Sequence, residues 1–511
     1  MSRTRRSAWN LASTYGLSAV GMVTGLVATP LLLRWLGEER FGALRALTDW
    51  QGYVNLLELG VSGAVQPLLA AALAAGVLAE TARVVRTAVR AYMRVGALIV
   101  AAGNVLAVAA PLVIPVRADL EGELVAAALM NVVGGLILPL AVFRWLAEAG
   151  QRGYMVNLML GVQGLTAAGL ALAFARIGWG LPGQTAAALI GLVVLQVGLA
   201  WDGMARQPDL ARGGWPARDP EQEARFTTLN RPALVFNLCT RLSIYSDSII
   251  LSLLLGPAAV VPYYLTQRII LLSAGYVLAV ANSTWAALVE LHHQGRVADM
   301  NRRICQLTLI SGVMSGGLLV PVAVANASFV RLWVGADRYG GDWLTVLTVV
   351  FAWSQNSVAI WGWVIHGTGN VRRMIPCSLV GAGVNLGVSV LGTWWLGPIG
   401  PALGSAVQYG VVMTVWLPLI LRGQFGTPVR KVWAAVLRPA IVAIAYALAL
   451  VLLAEVLPPY RPDSPRWACW LGLAAWLAAA AGGYLILAWF MVLSTDDRRV
   501  LTGRIWRRGA A

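Results

Sequence analysis

The chain has 511 residues, 58% of them hydrophobic and 12% charged, with a formal net charge of +16 and a mean hydropathy of +0.70. That is the composition of a polytopic membrane protein. The surplus positive charge points to nucleic acid only until it is mapped, because it gathers in the loops on one side of the membrane and faces an anionic leaflet.

A hydrocarbon core of about 30 Å needs roughly 20 apolar residues as helix, and spanning backbone must satisfy its own hydrogen bonds. Fourteen stretches meet that length. In chain order they are 10–35, 44–73, 87–116, 123–147, 154–177 and 184–205, then 229–255, 259–291, 304–330, 343–367, 374–395 and 400–421, and finally 434–457 and 467–493. Several exceed 25 residues, which implies tilt or helix running past the headgroups. The division expected is an N-terminal six-helix lobe (1–205), a cytoplasmic linker (206–228), a C-terminal six-helix lobe (229–422), and two additional helices with a basic cytoplasmic tail (423–511).

With the N-terminus inside, 27 of the 39 Lys and Arg fall inside, eight outside and four within spans. By the positive-inside rule this sets both termini in the cytoplasm of a bacterial inner membrane. A missed helix would invert the bias downstream, and the bias holds to the end. The basic start followed by a long apolar run reads as an uncleaved anchor, since it is too long for a signal peptide and lacks a small-residue cleavage site. Cys239, Cys305, Cys377 and Cys469 show neither disulfide nor zinc spacing.

The predicted outside loops are short, which leaves no room there for a catalytic domain. No phosphate loop, His-rich metal cluster or Ser/His/Asp arrangement is present, so neither a cofactor nor a metal is expected. Gly21/Gly25, Gly312/Gly316 and Gly383/Gly387 are small-xxx-small pairs that permit close helix approach. The sequence points to transport rather than to chemistry.

Ionisable residues inside spans usually face a cavity or a partner, since a lone charge at mid-bilayer costs about 2.5–3.5 kcal/mol on insertion scales. At 1.5 Å per residue, Arg241 lies about 15 Å and Arg268 about 14 Å into consecutive antiparallel spans, and Asp247 matches Arg268 in depth. One reading is structural: an Asp247–Arg268 pair, with Arg241 satisfied by a carbonyl or by Asn237. The other is a cationic cavity wall that receives an anionic headgroup, Asp247 orienting Arg268. Arginine's planar fork suits bidentate capture of phosphate oxygens. Arg34 lies near the outer end of the first span, just past Pro30. Glu58 lies about 21 Å from the outer face of the second, a paired structural residue or a titrating one. Arg45/Asp49 and Arg144/Glu148 have the spacing of local helical salt bridges.

At these residues the chain resembles the polysaccharide-transporter branch, the oligosaccharide flippases, of the multidrug/oligosaccharidyl-lipid/polysaccharide (MOP) flippase superfamily. The resemblance rests on an Asn near the start of the first span, Pro30-Leu-Leu-Leu-Arg34-Trp-Leu-Gly37, Glu39-Arg-Phe41-Gly42 and Leu57-Glu58-Leu-Gly60, then on Asp247-Ser-Ile-Ile-Leu, Leu255-Gly256 and Tyr263-Tyr264-Leu-Thr-Gln-Arg268. The two halves echo each other where Leu36-Gly37 meets a counterpart in Leu255-Gly256. The resemblance implies an all-α fold of fourteen transmembrane helices, two six-helix lobes around a central cavity plus two C-terminal helices that form a groove for a lipid tail. The Arg-Asp pair of the peptidoglycan-precursor flippases is absent from the first span.

It further implies a flippase that moves a polyprenyl-diphosphate-linked oligosaccharide, of the undecaprenyl-diphosphate type, to the periplasmic leaflet for surface polysaccharide assembly. Arg241 and Arg268 would engage the diphosphate, Asp247 would orient, and Arg34 and Glu58 would line the cavity. Membrane lipids, a coupling ion (H+ or Na+) and polysaccharide assembly proteins are the partners expected, and nucleic acid is not. Trp35, Trp50, Trp285 and Trp361 are candidates for stacking on sugars, although anchoring at the interface accounts for most tryptophans. The alternatives are a multidrug or cation antiporter of the same superfamily and a membrane glycan polymerase or ligase.

Overall fold

The computed structural model describes residues 3–55, 58, 61–75, 78–207, 231–460, 465–495 and 497–498. Most of the predicted linker and the basic tail beyond Arg498 lie outside the described residues. So do the residues on either side of Glu58 in the quoted second-span motif.

Every long element is a helix, and no strand occurs among the described residues. The helices are α1 (Arg3–Asn55), α2 (Val61–Ala75), α3 (Leu78–Val108), α4 (Ala110–Val113), α5 (Ala118–Ile137), α6 (Ala141–Ala149), α7 (Gly153–Arg176) and α8 (Gly180–Arg206). They continue as α9 (Arg231–Leu255), α10 (Val260–His293), α11 (Val297–Val334), α12 (Asp342–Gly367), α13 (Ile375–Leu396), α14 (Gly400–Val407), α15 (Thr414–Phe425), α16 (Val429–Val456) and α17 (Arg466–Met491). Among the described residues, twelve stretches are long and apolar enough to cross a membrane. Ala12–Tyr53 holds the first predicted span and the start of the second, and Val371–Phe425 holds the eleventh and twelfth. Thirteen of the fourteen predicted crossings fall on these twelve stretches, and the second passes from the end of the first stretch to α2: the chain is a multi-pass membrane protein.

The chain divides into two compact units, Met1–Val261 and Pro262–Ala511. In the first, α1 is two helices joined at Gly37, whose φ of 80° and ψ of 170° are open to glycine and closed to other residues. Gly256, at the end of α9, adopts nearly the same conformation (φ 87°, ψ 160°). The Leu-Gly echo of the sequence is thus one and the same turn made twice. The packed interior gathers Leu69, Tyr92, Phe143, Leu195 and Leu199 in one cluster and Leu47, Ile114, Leu124 and Leu181 in another.

Polar side chains tie the ends of these helices together. The Asn10 Oδ1 accepts the Tyr154 backbone N–H at 2.6 Å at the start of α7, and Asn157 donates to Ser13 and Thr14. The asparagine near the start of the first span is therefore a clamp on α7. Arg40 donates to both oxygens of Glu123 at 2.9 and 2.7 Å, and Glu123 also accepts from the Leu181 N–H. Arg152, in the α6–α7 connection, makes a two-pronged bond to Asp202, and these hydrogen bonds raise the arginine above its ordinary pKa.

In the second unit, α11 is the central helix, with a proline (Pro321) inside it. Asn326 on it donates to the Thr266 carbonyl at 3.0 Å and to Thr345 at 2.9 Å. Gly312 and Gly316 admit the two C-terminal helices. A Cβ on Gly312 would lie 2.6 Å from the Pro439 ring of α16, and one on Gly316 would overlap the Tyr484 ring of α17. Tyr484 closes the seam by donating to the Pro439 carbonyl at 3.0 Å. Gly21, Gly383 and Gly387, from the other two pairs, have nothing within 4 Å of where a Cβ would stand. Between α14 and α15 the helix widens into a π turn at Gln408–Met413, just ahead of Pro418. Trp343, Trp394, Trp395 and Trp467 are exposed at helix ends, where amphipathic rings meet headgroups.

Candidate functional site

The first unit forms a partly open cavity of about 550 Å³. Its polar lining is Gln51 of α1, Glu58, Asn131 of α5, Arg144 of α6, Gln163 of α7, Gln196 of α8, and Arg241 and Tyr245 of α9. An interruption in a spanning segment opens onto it at Leu138–Leu140, where Pro139 has no N–H to offer and α5 ends in a 3₁₀ turn, Leu138 donating to the Gly135 carbonyl. Gly134, Gly135, Ile137 and Leu138 all line the cavity. Irregular backbone at membrane depth is tolerated where it borders a cavity rather than lipid. The break also starts α6 on its own course, and α6 carries Arg144.

The charged groups are held from behind. The Glu58 Oε1 accepts from the Tyr92 hydroxyl at 3.1 Å, and that hydroxyl accepts from the Trp145 indole N–H at 2.9 Å. Tyr92 is wholly buried. Arg144 donates to Glu148 at 3.0 Å, as the i,i+4 spacing predicts, and its guanidinium lies 5.5 Å from the Trp145 ring centre. Arg241 is exposed and donates to the Tyr245 hydroxyl one turn on, at 2.6 Å. The Tyr245 ring in turn rests on Gly52, where a Cβ would come within 2.5–2.7 Å of it. Gly52 is thus the reason Tyr245, and through it Arg241, can sit where it does. Two guanidinium groups, that of Arg144 shared with Glu148, one carboxylate, one phenol and four amides make a polar cavity whose donors are able to hold anionic oxygens by charge-assisted hydrogen bonds.

Of the predicted site residues, Glu58 and Arg241 line this cavity. Asp247 is half-buried on α9 outside the lining, close enough to Tyr53 to act on it electrostatically together with Asp49. Asp49 accepts a hydrogen bond from Ser248, which joins α1 to α9. Arg34 is exposed on α1, three residues before Gly37. Arg268 is half-buried in the second unit, its guanidinium 5.7 Å from the Tyr264 ring centre. The side chain of Asn237, the alternative partner for Arg241, lies outside the described residues. Trp361 is wholly buried and donates to Thr308 at 3.0 Å, so it cannot stack on a sugar. Arg144, Tyr245 and Gly52 were not among the predicted site residues. The spacing of Arg241 and Tyr245, four apart on one helix, is the signal that could have found Tyr245.

No protein-family model matches the sequence, and no curated protein matches it. Solved structures do. The chain superposes on the lipid II flippase MurJ in an inward closed conformation with a TM-score of 0.70 at 12% identity, over 95% of this chain and 99% of that one. An inward-facing multidrug resistance MATE transporter of the MOP superfamily gives 0.66 at 14% identity, over 80% and 98%. A MOP superfamily transporter from Pyrococcus furiosus, described as having a binding pocket of reversed polarity, gives 0.58 at 13% identity, over 85% and 96%. At such identities the likeness is one of fold. The chain has the fold of these transporters and flippases.

Proposed function

We propose that the protein is a flippase carrying polyprenyl-diphosphate-linked oligosaccharide from the cytoplasmic to the periplasmic leaflet of a bacterial inner membrane, by alternating access and for surface polysaccharide assembly, with both termini cytoplasmic. The observation that carries this reading is the pairing of Arg144 and Arg241 with the single carboxylate Glu58 in one cavity of about 550 Å³. A diphosphate brings roughly two negative charges, and arginine forks stabilise them far more in a low-dielectric cavity than in water. The volume suits a headgroup, since ligand cavities run about 300–1,000 Å³. The fold shared with MurJ, solved as a lipid II flippase, supports the same class of substrate. Arg268, Asp247 and Arg34 belong to this proposal as further contacts or orienters, as do the lobe boundaries read from the sequence and a coupling ion, H+ or Na+.

A second reading, a multidrug or cation antiporter, is favoured by Glu58. It is a carboxylate in the cavity wall, and the fold is equally that of the MATE transporters. Native mass spectrometry of purified protein with polyprenyl-diphosphate oligosaccharide separates the two. The flippase reading expects binding by wild type, at least a tenfold loss in Arg144→Ala/Arg241→Ala, and a smaller loss in Arg268→Ala. Equal binding by wild type and the double variant overturns the assignment of the site. Uptake of organic cations that Glu58→Gln abolishes, with no glycolipid bound, decides for the antiporter.

A further inference from the structure

One face of α3 carries a pattern that takes no part in the cavity. Arg83, Arg86, Arg90 and Arg94 recur at three- and four-residue intervals, which aligns them in a single row on the helix. At 1.5 Å per residue the row runs roughly 16 Å along the axis. Val84, Val85, Ala88, Tyr92 and Val95 occupy the other side of the helix and are buried. The row therefore looks away from the core of the first unit. Arg83 and Arg94, its two ends, are exposed, and Arg86 and Arg90 are half-buried. Glu80 stands beside its start, one acidic residue against four arginines on this face of the helix.

Past Arg94 the same row continues at the same intervals with Ala97, Ala101, Val105 and Val108, all exposed, the two valines at 70% and 67%. One face thus reads basic over its first stretch and apolar over the next, the apolar part running roughly 16 Å along the axis. A charged headgroup followed by an acyl chain has the same order and scale. Basic residues in short loops are enough to orient a membrane protein. A row of four on one helix face, aligned with an apolar strip, does more than orientation requires.

We propose that this face of α3 is a binding site for an anionic phospholipid, its phosphate held by the arginine row and its acyl chains laid along 97–108. On the orientation proposed above, the lipid belongs to the cytoplasmic leaflet. The site is separate from the cavity and does not depend on what the cavity carries. Guanidinium groups bind phosphate oxygens in bidentate fashion, and each basic residue near an anionic surface is worth about fivefold in affinity.

The test uses the full-length protein in detergent, titrated with phosphatidylglycerol and with phosphatidylcholine and read by native mass spectrometry. Wild type should prefer phosphatidylglycerol strongly, and Arg83→Gln/Arg94→Gln, which changes only the exposed ends, should lower that preference by about 25-fold. Arg144→Ala/Arg241→Ala should leave it unchanged, which separates this site from the cavity. Raising NaCl from 0.15 to 0.5 M should weaken the wild-type preference, an outcome that needs no variant to fold. No preference in wild type, a preference insensitive to salt, or an undiminished preference in the folded Arg83/Arg94 variant would overturn the proposal.

Discussion

Tyr92 shows how much of the cavity rests on a single atom. Its hydroxyl takes the Trp145 proton and gives its own to Glu58, deep in the packed interior. Tyr92→Phe keeps the ring and deletes the link, leaving a buried indole N–H and a carboxylate each short of a partner. Such orphaned groups cost about 1–3 kcal/mol. The variant should therefore unfold in detergent at a measurably lower temperature than wild type. At this scale the sequence was legible wherever a charge interrupted an apolar run, as at Glu58 and Arg241. Arg144 escaped notice because Glu148 at i+4 already gave it a complete local account. The guanidinium does make that bond, and it also reaches the cavity. Depth counted from a helix end says how far down a side chain lies but nothing about the direction it faces. For that reason Arg241 and Arg268, equal in depth, could not be told apart.

Helices were the easiest elements to read and their interruptions the hardest. A hydropathy window of about 19 residues averages over a break of three, so Pro139 between two leucines left the fourth span looking whole. The Gly312/Gly316 pair shows the opposite case, a weak signal that proved structural. A Cβ at Gly316 meets Tyr484, whereas one at Gly383 meets nothing. Gly316→Ala should lower stability by about 1–3 kcal/mol through overpacking. Gly383→Ala, in an open helical position, should raise it by up to about 1 kcal/mol. Opposite shifts of the unfolding midpoint for two glycine-to-alanine changes check the seam directly. Equal shifts would mean that α16 and α17 do not dock on α11 as described.

Across the whole molecule, the sequence makes one claim that hydropathy alone cannot: which side each loop faces. On the proposed orientation, a fluorescent protein fused to either terminus should mature and glow. Alkaline phosphatase fused after Arg117 should be active, and after Gln207 it should be silent. Activity after Gln207 would reverse the assignment of every basic residue. The same orientation gives meaning to the tight glycine turns. Gly37, Gly256 and Gly397 each stand in a connection of at most four residues between helices, all with positive φ. On the outer surface the consecutive crossings they join are connected with almost no slack. A protease working from outside the cell needs several residues of pliable chain to thread its cleft, and an antibody needs a loop to grasp. At these three turns the protein offers neither, and so remains hard to cut or to recognise from the side on which its cargo would be released.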